Sequence, residues 1–543
     1  MSKRSIAIIV LLLLIAGGIV TWSIYKRRIV KNEVAKTIAD KSNNLYGIKT
    51  GSLDIDEVAG SLTATNLELA PDSNVYNQLS NTSDAPSVLA KISIPSLTVA
   101  GVKTPRALLN SEIDGRKVVI HSPRIELFFT GKGKDSLKKV PDKEMYRQIL
   151  GNLELIKIDT LSVVNATIIT REWKTGQIRM QFDSVFIDLF RIAVDSLHDK
   201  DTTRILFAEQ VLVKCKKARW SSKNKLYQYE VHDIHLNSSE KKLSMNRFTI
   251  NPALPEQKFL QQFKYANDRF DVDIRQIRLA SLNVSLLLVQ QDIAADSLVA
   301  GASNVRIYRD LSFPHDGKNR VGTYPNQLIM KLPIDLAVKK ATFHNCFIEY
   351  KERNGKSGKS GKVQFHKAVV SVANLTNHRK LLVAKSMQVQ FRAQFLDKAP
   401  VRALINFYPD GGRFTIEGEM GGIEATDLNQ LTEPMGLTTI EKGTLRGMKF
   451  NFSGTDYTTD GRLTIFYNDL RIALLQKDST DNSLNKKGLV SMLANIKVKN
   501  DNPGKKEEVR VADVHYKRDT HKSFFNLVWK SIFTGVKQTV GME

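Results

Sequence analysis

Between Ile334 and Val372 the apolar residues fall at Val338, Ala341, Phe343, Cys346, Ile348 and Tyr350, in steps of three, two, three, two and two. A step of two is the period of a strand with one apolar and one polar face. A step of three adds a residue yet returns the next apolar side chain to the same face, which in a strand marks a bulge or bend. The tip NGKSGKSG follows, and then Val363, Phe365, Ala368, Val370 and Val372 resume the row. The pattern predicts a long, bent β-hairpin with one apolar face.

The same spacing recurs along the chain. Ile94, Leu97, Val99, Val102 and Thr104 carry it, as do Ile158, Leu161, Val163, Ala166 and Ile168. It returns at Ile277, Ala280, Leu282, Ser285, Leu287 and Val289, with a polar slip at Ser285, and at Ile440, Gly443, Leu445, Met448, Phe450 and Phe452. A sixth stretch around Ala208, Val211 and Val213 decays into KCKKARW. The copies start roughly 60 residues apart, or on gaps long enough to hold a degenerate one, which predicts a repeated β unit. Too few helical segments exist to cover such rows along their whole length. A curved sheet that forms a trough lined by these side chains is one solution. A closed sandwich or barrel with a packed core is the other, and spacing alone does not separate them.

Ile6 to Tyr25 supplies about the 20 apolar residues that a helix needs to cross a bilayer. Ile6, Leu12 and Ile19 lie within it, Trp22 and Tyr25 suit an interfacial belt, and Lys26, Arg27 and Arg28 follow at once. With no small-residue cleavage site, the segment reads as a retained anchor over 1–28 rather than a cleaved signal peptide. Charge alone would keep the body in the cytoplasm; a short N-terminus before a long β-rich body favours export. Residues 29–44 carry Val30, Val34 and Ile38 at helical spacing. Strands begin near Leu45, alternate from Gly60 to Leu69 and stop at Pro71-Asp72, opening a β body that runs over 45–410. Short helices are expected after Pro141 and over Pro255–Arg269, and a loop over Asp310–Tyr324. A Gly-rich β region over 411–518 holds EATDLNQLTEP, a short helix capped by Thr426 or Asp427, and a polar stretch from Ser479 to Gly488. In the last segment, 519–543, Phe525, Val528, Trp529, Ile532, Val536 and Val540 make one apolar stripe, with Lys530 and Lys537 off it. Such a cationic amphipathic helix either lies on a bilayer or caps the last sheet.

Composition changes this picture little, except in charge. A net charge of +24 points to an anionic partner such as lipid or nucleic acid, or to strands whose outer face is solvated by Lys and Arg. Nucleic acid is not expected, because zinc-finger spacing, an RNP-like aromatic pattern and a basic helix are all missing from the sequence. Cys215 and Cys346 are the two cysteines, and Cys346 sits in the apolar row as a small hydrophobe. GKSGKSGK lacks the leading glycine of a phosphate loop, since Tyr350 and Arg353 stand there, and both its flanks are strands. His232 and His235 sit three apart on a strand, a spacing that puts them on opposite faces and makes them poor joint metal ligands. No HExxH, GxSxG or CxxC motif occurs. No catalytic residue, metal or cofactor is therefore expected, and the chain does not read as an enzyme.

Several stretches together carry a family resemblance. The anchor followed by LYGIKTGSLDIDEVAGSLTATNLELAPD resembles the start of AsmA-like proteins. IDTLSVVNATI and the pair LAVKKATFHNCFIEYKE and GKVQFHKAVVSVANLTN resemble their repeated units. GRFTIEGEMGGIEATDLNQL, IEKGTLRGMKFNFSG and GRLTIFYNDLRIALL are similar to their Gly-rich C-terminal region, and RDTHKSFFNLVWKSIFTGVKQTVG to a closing helix. The resemblance implies a single-pass inner-membrane anchor with the body in the periplasm. It implies an elongated, curved antiparallel β-groove of repeated bent hairpins, mainly β, that carries phospholipid and maintains the outer membrane. The implied groove lining is Ile94, Leu97, Val99, Val102, Ile158, Leu161, Val163, Ile168, Ile277, Leu282, Leu287, Val338, Phe343, Ile348, Leu445, Met448 and Phe450. Membrane phospholipid would be the partner, together with envelope proteins if the chain bridges two membranes. The alternative is a non-catalytic envelope scaffold that influences outer-membrane protein assembly.

Overall fold

The computed structural model describes residues 42–56, 58–80, 85–102, 112–131, 154–195, 203–378, 386–409, 411–477, 484–486 and 499–541, together with Ala39, His198 and Asp201. The anchor, almost all of the helix expected over 29–44, the helix after Pro141 and most of the polar stretch from Ser479 lie outside the described residues. Among the described residues no helix is long and apolar enough to cross a membrane. The protein is mainly β, 59% strand against 13% helix. It divides into two compact units. The first holds Met1–Lys223, Tyr229–Arg247 and Ser281–Gln291; the second holds Asn224–Gln228, Phe248–Ala280 and Asp292–Glu543.

In the first unit, β1 (Tyr46–Lys49) and β2 (Leu53–Asp56) both pair antiparallel with β3 (Ser61–Pro71). Asp72 ends β3 and caps a helix that the hydrophobic pattern did not reveal, α1 (Ser73–Leu79), its Oδ1 accepting from the backbone N–H of Asn74 at 2.7 Å and Val75 at 3.1 Å. Next, β4 (Val88–Ala100) pairs antiparallel with two short strands laid end to end, β5 (Glu112–His121) and β6 (Arg124–Phe129). These run parallel to β7 (Leu155–Glu172), which folds back as a hairpin with β8 (Ile178–Val194), and β9 (Gln210–Ser221) follows antiparallel. Strands β10 (Tyr227–Asn237) and β11 (Lys242–Pro252) are divided between the units.

The second unit repeats this path. The strand β12 (Asp268–Ala280) pairs antiparallel with the end-to-end strands β13 (Ile293–Ala300) and β14 (Ser303–Asp310). Both run parallel to β15 (Leu336–Arg353), the first arm of a long hairpin with β16 (Ser360–Thr376). About 25 residues separate β6 from β7 and β14 from β15, enough for the crossover that a parallel pair needs. The sheets are therefore mixed, not antiparallel throughout as expected. The repeat is also longer than the sequence spacing implied. Corresponding bends at Asn165 and Asn345 lie about 180 residues apart, and each repeat contains two of the bent rows. The true counterpart of Ile94, Leu97, Val99 and Val102 is Ile274, Ile277, Leu279 and Leu282, three residues earlier than the expected copy. Beyond Ala280 that expected copy is not a strand. Ser281 takes φ +51° and turns the chain, Asn283 Oδ1 accepts the Leu286 N–H at 3.0 Å, and Leu287 falls in a π-helix over Leu286–Gln290.

The three-residue steps are bulges, and their conformation is explicit. Asn165 and Ser184 flank the Ala166–Val185 pair of β7–β8, and Asn345 and Lys367 flank the Cys346–Ala368 pair of β15–β16; all four sit at φ near +50°, with register shifts beside them on both strands. Both arms of each hairpin bend together. Asn tolerates the left-handed region better than any β-branched residue. Asn345 is exposed, so its side chain packs against little. Asn345→Val is expected to cost about 1–2 kcal/mol through the backbone alone, with Asn345→Gly sparing most of it. Hydrogen exchange across β15–β16 in the two variants checks this.

The rest of the second unit is an antiparallel run: β17 (Met387–Phe395), β18 (Ala399–Phe407), β19 (Phe414–Met420), β20 (Ile423–Glu424), β21 (Thr438–Gly454), β22 (Thr458–Lys477), the short β23 (Leu484–Lys486) and β24 (Ala512–Lys517). Helices are few. The one expected over Pro255–Arg269 shrinks to α2 (Glu256–Leu260), because Phe259, Leu260 and Phe263 are drawn into a cluster with Tyr308 before β12 begins. A single turn and a half, α3 (Pro325–Ile329), follows the loop over 311–324. EATDLNQLTEP forms a 3-10 turn over Ala425–Leu428 and then α4 (Asn429–Gly436), with no side-chain cap from Thr426 or Asp427. Asn429 instead ties α4 to β21, accepting the Ile440 N–H at 2.7 Å and donating to the Ile440 carbonyl at 2.8 Å. The terminal helix is α5 (Phe524–Val540).

Candidate functional site

The candidate site is the apolar face of the second unit from β15 to β21, and strand register builds it. Phe343 stands opposite Val370, then Phe391, Ala403, Gly418 and Phe450 in turn on the next strands. A neighbouring row runs Ala341, Val372, Val389, Ile405, Ile416, Phe452. Between the bends, Cys346, Ala368 and Ala393 form a floor of small buried side chains, flanked by half-buried Phe343, Ile348, Phe365 and Phe391. The rings lean over that floor: Phe365 meets Phe391 edge to face at 5.2 Å and Phe395 at 5.7 Å. The reverse face is polar, with Gln388, Asn406 and Thr415 joined by side-chain hydrogen bonds of 3.1 and 3.2 Å. One greasy and one wet face is what an antiparallel sheet with a single covered side requires.

Cover for the greasy face comes at its ends. At one end Tyr324, Phe407, Phe414 and Phe524 form a plug, with ring centroids 4.9–5.2 Å from Phe524. Tyr324 OH donates to the Thr455 carbonyl at 2.7 Å, and the Arg518 guanidinium lies 4.6 Å from the centre of its ring. Burial pushes the Tyr324 hydroxyl up to about 12. At the hairpin tip, Ser357 Oγ donates to the Pro434 carbonyl at 2.7 Å and Asn354 Nδ2 to the Met435 carbonyl at 3.0 Å. Gly361 lets Met435 approach to where a Cβ would sit. The Gly/Ser tip is thus a dock for α4. Between these ends Val370, Val372, Val389, Phe391 and Ile405 remain half-buried.

Gly residues keep the face thin. The ring of Phe450 lies where a Cβ on Gly418 would fall, Phe414 does the same over Gly454, and Phe452 packs against Gly461. Phe450 and Phe452 stack at 5.1 Å.

The sequence-derived lining divides in two. In the first unit Ile94, Leu97, Val99, Val102, Ile158, Leu161, Val163 and Ile168 are all buried, with Leu97 at 0% and Leu161 at 1% exposure. Leu282, also in the first unit, is buried, as are Ile277, Val338 and Leu445 in the second, whereas Phe343, Ile348, Met448 and Phe450 are half-buried, Phe343 and Phe450 on the open rows. Leu287 is off the sheet. The accessible part also includes Val370, expected on the apolar row of the hairpin, and Val389, Phe391 and Ile405, which the spacing did not reveal because β17 and β18 alternate without a three-residue step.

The terminal helix splits its apolar residues between two faces. Phe524, Leu527, Ser531, Gly535, Thr539 and Val540 are buried, with Gly535 set against Leu463 and Val514 of the sheet. Ile532 and Val536 are half-buried against the same core, whereas Phe525 and Trp529 are exposed. Of the expected stripe, Val528, Ile532, Val536 and Val540 pack on the core and Phe525 and Trp529 do not; the middle of the buried face is held by Ser531, Gly535 and Thr539, which carry little hydrophobic signal. The two buried hydroxyls of α5, on Ser531 and Thr539, donate within the helix to the Leu527 and Gly535 carbonyls.

Other candidates hold less. His232 and His235 lie on β10, and Asp233 between them takes φ +52°. His232 Nε2 is already 3.2 Å from Glu230, and among the described residues no group of three metal-binding side chains occurs. Cys215 and Cys346 are buried free thiols, and burial pushes Cys215 up to about 11. A crevice of about 620 Å³ beside α2 is lined largely by charged side chains, with Lys351 Nζ lying 2.7 Å from Glu256. Compared with known protein families and curated proteins, the chain matches none.

Proposed function

We propose that the protein is an AsmA-like envelope protein that binds or transfers phospholipid along an apolar β-face. It would be held at the inner membrane by its N-terminal segment, with the body in the periplasm. The observation that supports this most is the pair of apolar rows crossing β15 to β19, half-buried except at Ala341 and Ile416 and backed by a polar reverse face. A guest acyl chain laid on those rows would gain about 0.8 kcal/mol for each CH₂ withdrawn from water, and this needs no catalytic group. Headgroups would stay at the wet margin, where a basic protein favours lipid phosphate. The enclosed rows of the first unit play no part unless they open.

The test is the lipid that copurifies with the full-length chain, measured by mass spectrometry after mild extraction. Phe343→Glu with Phe391→Glu places two charges on the face at half-exposed sites. Bound phospholipid is expected to fall severalfold while circular dichroism stays unchanged. Lipid retained at the wild-type level would end the reading. Absence of lipid from the wild type, with cross-links to an assembly factor for outer-membrane proteins, would favour the scaffold.

A further inference from the structure

Helix α5 has two apolar faces, and its own chain covers one. Phe524, Leu527, Ser531 and Gly535 turn toward β22 and β24. Phe525, Trp529 and Phe533 recur every four residues and so stand on one ridge, at 71%, 44% and 38% exposure. Single exposed hydrophobes are ordinary; three large aromatics in register are not. The ridge is cationic on the aromatic side itself, with Lys530 and Lys537 Nζ 5.7 and 5.3 Å from the centre of the Phe533 ring. From Phe524 to Val540 the helix contains no Asp or Glu.

We propose that this ridge seats α5 in the headgroup layer of an anionic bilayer, with the rings at the acyl boundary and the two lysines on lipid phosphate. A single sign of charge along the whole helix matches a uniformly anionic surface. Trp529 has the amphipathic ring that favours this depth, and lysines beside the rings can extend to the phosphates while their stems stay buried. The close approach of Gly535 to Leu463 and Val514 holds the ridge in a fixed orientation, so little ordering is left to the moment of contact. This docking does not depend on lipid cargo: a scaffold could use it equally.

The test uses the full-length chain held in phosphatidylcholine nanodiscs. Subtracting the emission of the Trp529→Phe variant isolates the Trp529 signal. On addition of vesicles of brominated phosphatidylglycerol, that signal is expected to shift to shorter wavelength and lose most of its intensity. Lys530→Glu with Lys537→Glu should abolish the response, and Phe525→Ser with Phe533→Ser should weaken it severalfold, with helix content unchanged. Emission indifferent to these vesicles would overturn the proposal. So would equal quenching by brominated phosphatidylcholine. A lipid-free shift that grows with protein concentration, with a dimer in sedimentation, would assign the ridge to a second copy and overturn it as well.

Discussion

Phe524→Ala is expected to destabilise the second unit by about 3–5 kcal/mol. The ring is 3% exposed and is the common member of the aromatic plug, touching Tyr324, Phe407 and Phe414. Those three partners come from a loop end and two different strands, so none can move into the void without leaving its own contacts. A cavity that cannot collapse carries the full penalty. Four edge-to-face or tilted ring contacts vanish as well, the fourth being the one to Phe525 at 5.8 Å. Phe524 is also the first residue of α5, directly after the Ser523 cap, so the loss should loosen the helix from its N-terminal end. The neighbouring Phe525→Ala is the matched control: its ring is 71% exposed, and its removal should change stability by no more than about 0.5 kcal/mol. Because the chain has two compact units, a single melting midpoint would blur the effect. Hydrogen exchange over β18, β19 and α5 separates the two variants.

The bent hairpins were legible because the bulge leaves a mark in the apolar spacing. Val163 to Ala166 and Phe343 to Cys346 each span one extra residue, and the left-handed residues Asn165 and Asn345 sit in the gap. The parallel pairs were not legible. Nothing in the alternation of β5 or β13 says which neighbour it will take, and that choice is made by crossovers with no periodicity of their own. The repeat length was misjudged for a related reason: two bent strands with the same steps occur within each repeat, so the spacing counted strands. In the candidate face, Phe343, Ile348, Met448 and Phe450 could be named because they lie on bent strands. Val389, Phe391 and Ile405 could not, because their strands are plain. The helix α1 had no apolar stripe to announce it, only the Asp72 cap. On α5 the stripe located Val528, Ile532, Val536 and Val540 against the core, but three small residues hid the middle of the buried face.

The glycines of the last strands make the sharpest demand on single residues, and Gly461→Ala should cost about 3–5 kcal/mol. Gly461 sits at φ +157°, opposite Phe452 in the β21–β22 ladder. A Cβ there would run into the Asn451 carbonyl oxygen and come within 2.8 Å of the Phe452 Cα. Both are backbone positions of the partner strand, so the hairpin must part before the methyl group can fit. Rearranging a side chain does not relieve the clash. Strain of this kind adds to overpacking. The disturbance should travel, because Phe452 is fully buried and stacks on Phe450, which itself covers Gly418 in the apolar row. Faster exchange is therefore expected in β19 as well as in β21 and β22. Gly436→Ala, at a site with nothing within 4 Å, should leave exchange unchanged. If the two alanines behaved alike, the thinness of this sheet would not be set by close approach between strands, and the account of the aromatic rings lying over glycine would have to be given up.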